Sequence, residues 1–139
     1  MNRITLKAKN GISNGEEEIS EVLPDLGEPK GLSRFIIKQS GEYHLIRTKN
    51  IIWIEADGNY SRIITADKKF MIRHTLSSFD EQLNGNRFYR ISRSQIVNLD
   101  YVVKIKDHIY GNYMVELQNG VLLKMSKNYR QLMKALKSF

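Results

Sequence analysis

The sequence predicts a mainly β fold: about ten short strands in packed sheets, with two short helices. Three observations carry this. After residue 33 the chain alternates short apolar runs, rich in β-branched and aromatic residues, with turn residues. The period becomes helical at two places, after Thr75 and after Ser126. Asn119-Gly120 is the clearest hairpin-turn dipeptide in the chain. Strands this short need a second layer to bury their apolar faces, which favours sandwich-like packing.

Taken in order, residues 1–33 read as a flexible linker or N-terminal tail. Gly, Asn, Ser and Glu dominate there, Pro24 and Pro29 act as breakers, and nothing beyond a short helix at 19–23 suggests itself. The folded domain is expected over residues 34–139. Residues 35–38 and 42–47 flank the turn candidate Ser40-Gly41. The apolar run 51–56 leads into Asp57-Gly58-Asn59, and 60–65 and 69–73 are strands around Asp67-Lys68. Leu76, Phe79 and Leu83 recur at helical spacing, with Thr75 as cap and Asn84-Gly85 as terminator. Residues 88–91, 101–106, Ile109-Tyr110, 113–117 and 121–125 read as strands. Ser126 caps a last helix whose apolar stripe is Tyr129, Leu132, Met133 and Leu136.

The charge separates along the same boundary. Residues 1–33 hold four Lys/Arg against six Asp/Glu, a net of −2, and residues 34–139 hold eighteen against nine, a net of +9. Excess positive charge on the folded part favours a polyanion, because each neutralised phosphate releases condensed counterions. At 41% hydrophobic the chain can bury a core, and no apolar run of about 18 residues is present to span a membrane. The N-terminus lacks the apolar stretch of a secretory signal, so a cytoplasmic protein is expected.

Catalytic chemistry is not legible. With no cysteine there is no disulfide, thiolate zinc site or cysteine nucleophile. His44, His74 and His108 lack metal-ligand spacing, and the glycines sit singly instead of in a phosphate loop. The sequence therefore predicts no enzyme, cofactor or metal.

One segment concentrates polar recognition chemistry. In Phe88-Tyr89-Arg90-Ile91-Ser92-Arg93-Ser94-Gln95-Ile96-Val97-Asn98, apolar residues anchor an interval crowded with Arg90, Ser92, Arg93, Ser94 and Gln95. A guanidinium can bridge guanine O6 and N7 or clamp a phosphate, and short hydroxyls and amides suit phosphate contacts. A solvated loop whose arginines pair with Asp80-Glu81 is the other reading, and composition does not separate the two.

This stretch resembles the signature of LytTR DNA-binding domains, the output domains of LytR- and AgrA-like bacterial response regulators. Three further stretches resemble the same family in the same order. They are Ile51-Ile52-Trp53-Ile54-Glu55-Ala56-Asp57-Gly58-Asn59-Tyr60, Thr75-Leu76 followed by Leu83, and Leu117 with Asn119-Gly120 followed by Met125-Ser126-Lys127-Asn128-Tyr129. The resemblance spans about residues 34–138. Departures are Ser92 where histidine is frequent, Gln95 where an aromatic or aliphatic is usual, and Lys127 where arginine is common.

The resemblance implies sequence-specific double-stranded DNA binding by a bacterial transcription regulator of two-component type. Loops, in place of a recognition helix, enter successive major grooves of a bent duplex at direct repeats. Three places are implied to face DNA: Asn59, Tyr60, Ser61 and Arg62, with Ser61 base-facing; Arg93 with its neighbours Arg90, Ser92, Ser94 and Gln95; and Asn128 with Lys127 and Arg130. Arginine can read guanine and asparagine can read adenine. A helix start would add free N–H groups at Ser126-Lys127-Asn128. Lys127, Arg130, Lys134 and Lys137 form a basic stripe that suits either phosphate or plain solvent. Trp53 is expected in the core, and Tyr60 is left open between stacking and packing.

Many family members carry a receiver domain of about a hundred residues, more than residues 1–33 supply. The chain is thus expected to be a free-standing regulator, or the output half of a longer protein with a receiver or other regulatory domain. Pairing of two copies on DNA is left open. The alternatives are an RNA-binding domain that stacks bases on sheet aromatics, and a protein-interaction module.

Overall fold

The computed structural model describes residues 19–23, 34–83, 87–129 and 131–136. The elements are β1 (Ile19–Leu23), β2 (Arg34–Gln39), β3 (Glu42–Arg47), β4 (Ile51–Asp57), β5 (Tyr60–Thr65), β6 (Lys69–Ile72), α1 (Leu76–Gln82), β7 (Phe88–Ser92), β8 (Gln95–Asn98), β9 (Val102–Asp107), β10 (Tyr113–Leu117), β11 (Leu122–Met125) and α2 (Gln131–Ala135). β1 to β8 form one sheet in the order β3-β2-β1-β6-β5-β4-β8-β7, and β9 to β11 form a second in the order β11-β10-β9. The mainly β expectation with two short helices is met.

Two cores follow from which faces the strands bury. On one side of the large sheet, Phe35, Ile37, Ile54, Ile63, Phe70 and Ile72 pack against Leu76, Phe79 and Leu83 of α1 and its end. On the other, Ile52, Ile91 and Val97 meet Val115, Leu117, Leu123 and Met125 of the small sheet, and Leu132 of α2. β4 is therefore covered on both faces, which is why Ile51-Ile52-Trp53-Ile54 reads as a continuous apolar run and does not alternate. Trp53 packs against the second core, as expected, and its indole N–H donates to Glu55 Oε1 at 2.9 Å.

Local chemistry fixes the turns. Ser40 and Gly41 both have positive φ (52° and 79°), the geometry that matches the twist of a two-residue hairpin. The Thr75 hydroxyl accepts from Ser78 N–H at 3.1 Å and starts α1. Asn98, the last residue of the signature segment, is buried. Its Nδ2 donates to the Ile51 carbonyl at 2.9 Å and its Oδ1 accepts from Asp100 N–H at 2.9 Å, so it ties β8 to β4.

Four expectations are corrected. Residues 19–23 form a strand in place of a helix, antiparallel to β2 and parallel to β6. Backbone pairing on both sides overrides the weak local propensity there. Gln95–Asn98 is a strand of its own, hydrogen-bonded between β4 and β7. Ile109-Tyr110 is a 3-10 turn in which Tyr110 is left-handed (φ 57°), not a strand. The last helix begins at Gln131 among the described residues, and Ser126 closes a separate turn whose Tyr129 N–H donates to the Ser126 carbonyl at 2.9 Å. Asn84-Gly85, read as a helix end, lies outside the described residues.

Candidate nucleic-acid interface

Strand register gathers the implied positions at one end of the large sheet. Glu55 of β4 lies opposite Gln95 of β8, and Ala56 N–H donates to the Ser94 carbonyl at 2.8 Å. The β4–β5 turn and the β7–β8 turn are therefore neighbours. On the far side, Ser126 N–H donates to the Ile91 carbonyl at 2.8 Å and brings the segment after β11 against β7. Between these last two runs an open groove of about 620 Å³, to which Arg93, Ser94 and Gln95 contribute from one wall and Lys124, Ser126 and Asn128 from the other. Residues 35 apart in sequence thus face the same space.

The β7–β8 turn is a built feature. The pairing of β7 with β8 shifts register between Arg90 and Ser92, a bulge that re-aims the following residues. Arg90 Nε donates to the Ser92 carbonyl at 3.0 Å and Nη2 to the Arg93 carbonyl at 2.7 Å. Its guanidinium also lies 5.8 Å from the Tyr129 ring centroid and 3.9 Å from the Asp80 carboxylate. With a side chain only 21% exposed, Arg90 holds the turn from within. Ser92 Oγ accepts from Ser94 N–H at 3.2 Å and tightens it further. Arg93, at the tip, is exposed and has no side-chain hydrogen bond or ion pair among the described residues. The segment therefore divides: Arg90 is paired as the solvated-loop reading held, and Arg93 is presented.

The β4–β5 turn departs more from expectation. Ser61 is fully buried, and its hydroxyl donates to the His74 carbonyl at 2.6 Å, so it does not face a base in this arrangement. Inward alternation along β5 places it beneath the sheet, between exposed Asn59 and half-buried Arg62. Arg62 is neutralised by Glu55 at 3.4 Å and Asp57 at 3.0 Å. Tyr60 accepts from Arg73 Nη2 at 3.2 Å, with that guanidinium 5.5 Å from its ring centroid, which gives Tyr60 a partner at the surface. Asn59 is what this turn leaves exposed at its tip.

At the third place Lys127 and Asn128 are both exposed, but in a turn and not in the first turn of a helix. Asn128 N–H donates to Ser126 Oγ at 3.2 Å and Lys127 N–H to Asn112 Oδ1 at 3.0 Å. These amides are occupied, which removes the helix-start argument for a phosphate there. Arg130 and Lys137 lie outside the described residues, while Lys134 is exposed on α2. Two residues that sequence reading passed over belong beside the site. Arg73 follows β6, where the pairing of Ser61 with Ile72 brings it next to Tyr60. Lys124 is carried outward by the alternation of β11. Both signals lay in strand alternation, once register was known.

Residues 41–138 match the family model described as the LytTr DNA-binding domain. The chain belongs to this family. It is 29% identical over 92 residues to the transcriptional regulatory protein LytR of Staphylococcus aureus, a match over 66% of this chain and 37% of LytR. The sensory transduction protein LytT of Bacillus subtilis is 25% identical over 92 residues, with 66% of this chain and 38% of LytT covered. A heme-containing CO-sensing transcriptional regulator, RcoM 2 of Paraburkholderia xenovorans, is 29% identical over 77 residues, 55% of this chain and 29% of its own. The chain thus spans well under half of these relatives. The fold is that of the LytTr DNA-binding domain of a putative methyl-accepting/DNA response regulator from Bacillus cereus, with a TM-score of 0.68 at 20% identity over 78% of this chain and all of that one.

Proposed function

We propose that this chain is the output domain of a bacterial transcription regulator and reads duplex DNA with the loop-bearing end of its large sheet. The observation that carries this is the groove in which exposed Arg93 and Asn128 meet from separate elements. Arg93 suits guanine O6 and N7, and Asn128 suits adenine N6 and N7. Lys124 in the same groove and exposed Lys127 beside Asn128 add positive charge for the phosphates, and Arg73 adds more beside the β4–β5 turn. Because turns project there, the loops enter successive major grooves, with copies set at direct repeats as the family resemblance implies. DNA as the partner places the work in the cytoplasm. The relatives' additional length supports a regulatory domain, a receiver among the options, acting on this one.

The test is competition for the bound chain among duplex DNA, single-stranded DNA and RNA at one moderate salt concentration. Duplex should displace the probe at the lowest concentration. Equal displacement by single strands or RNA would instead point to base stacking or bare charge.

A further inference from the structure

The turn between β9 and β10 is unexpectedly costly for a simple connection. Tyr110 sits in the left-handed region at φ 57°, ψ 30°, which an L side chain with a bulky ring adopts only at an energetic cost. Yet its side chain is 82% exposed and that of Ile109 59%, so burial does not offset the strain. The turn is braced in this shape. His108 N–H donates to the Asn112 carbonyl at 2.9 Å and Asn112 N–H to the Ile109 carbonyl at 3.1 Å. It is also joined to the segment that carries Asn128, because Asn112 Oδ1 accepts from Lys127 N–H at 3.0 Å.

Its surroundings are cationic. Lys106 and Lys124 both lie opposite Met114 on the small sheet, and both are exposed, as are Lys127 and His108. Asp107 is the acidic group beside them. An exposed phenol, on a turn hydrogen-bonded to the segment that carries Asn128 and adjoining the strands that carry Lys106 and Lys124, has the chemistry of a phosphodiester contact: an O–H to donate, with cations on neighbouring elements.

We propose that the 108–112 turn is a further DNA contact, in which the Tyr110 hydroxyl donates to a backbone phosphate just outside the segment faced by Asn128. This rests on the duplex-reading function above. Tyr110 is neutral, so the contact displaces no counterion and leaves the salt slope untouched, unlike a lysine contact.

The experiment compares the wild-type chain with Tyr110→Gly and Tyr110→Phe, using salt-series affinities for a selected site and a scrambled duplex, plus hydroxyl-radical footprints. Glycine keeps the backbone conformation without strain, so this variant should fold at least as well as wild type by thermal melting. Both variants should bind both duplexes more weakly, by about tenfold or more for one lost hydrogen bond to a charged group. Site preference and salt slope should be unchanged, and protection should retreat at one flank. Unaltered affinity and footprint in Tyr110→Gly would overturn the proposal. So would a weakening that appears only alongside loss of self-association in light scattering, since the occupant would then be a second copy. A wild-type chain that shows no duplex preference would instead sink the underlying function.

Discussion

Arg90 donates from its guanidinium to the backbone carbonyl of Arg93 at 2.7 Å, and so one arginine of the signature segment sets the position of the other. Its second bond, to the Ser92 carbonyl, and its place over Tyr129 link the β7–β8 turn to the segment that carries Asn128. A fork with two parallel donors can hold adjacent carbonyls; an ammonium cannot reproduce that geometry.

Arg90→Lys should therefore cost site preference while keeping the salt slope of binding. A direct phosphate contact behaves otherwise: its loss lowers the slope of log affinity against log salt by about 0.9. Affinity for a selected and a scrambled duplex across a salt series reads both quantities. A reduced slope with site preference intact would make Arg90 a backbone clamp.

Arg93→Ala and Lys134→Ala should differ in kind. Loss of Arg93 should remove about 1–3 kcal/mol of discrimination at one base pair, because a bidentate guanine contact is lost. Loss of Lys134, exposed on α2, should weaken all duplexes alike and reduce the salt slope by about one unit or less. If Arg93→Ala weakened both duplexes equally, base reading would have to move to Asn128 and Asn59.

Ser61→Ala should act on folding and leave recognition alone. The substitution removes a part-buried hydrogen bond to the His74 carbonyl, which costs about 0.5–1.5 kcal/mol. Chemical denaturation should register this loss, while the preferred DNA site stays unchanged. A relaxed site with undiminished stability would return Ser61 to the DNA surface.

Residues 19–23 give a fourth outcome. β1 is the strand between β2 and β6, so a proline in it disturbs the ladder to β2, and its removal breaks ladders on two sides. Val22→Pro, at a position paired with Ile37, should lower the melting temperature by several degrees, and truncation to residue 34 should do so at least as much. Melting of the truncated chain at the full-length temperature would contradict a stabilising role for β1 and favour the linker reading of 1–33.

These outcomes show what the sequence made legible. Local signals were strong where one residue type has one mechanism: Ser40-Gly41 and Thr75 both formed as their chemistry requires. Long-range pairing left no such mark. Gln95–Asn98 reads as part of a loop until β4 and β7 flank it, and Ile19–Leu23 lacks any signal apart from its neighbours. At the candidate interface, residue types pointed to turns that the fold brings to one end of the large sheet, but which side chain points outward depended on register. Alternation buried Ser61, and ion pairing withdrew Arg62, leaving Arg93, Asn128 and Asn59 presented.

Selection of bound fragments from a random duplex pool tests the central claim most directly, that this chain reads DNA sequence through Arg93 and Asn128. The expected result is enrichment of a short motif, recurring as direct repeats, with at least one guanine position that relaxes when the selection is repeated with Arg93→Ala. Recovery of no motif from the wild-type chain, with affinity tracking only length and salt, would contradict it and leave a basic surface without sequence readout.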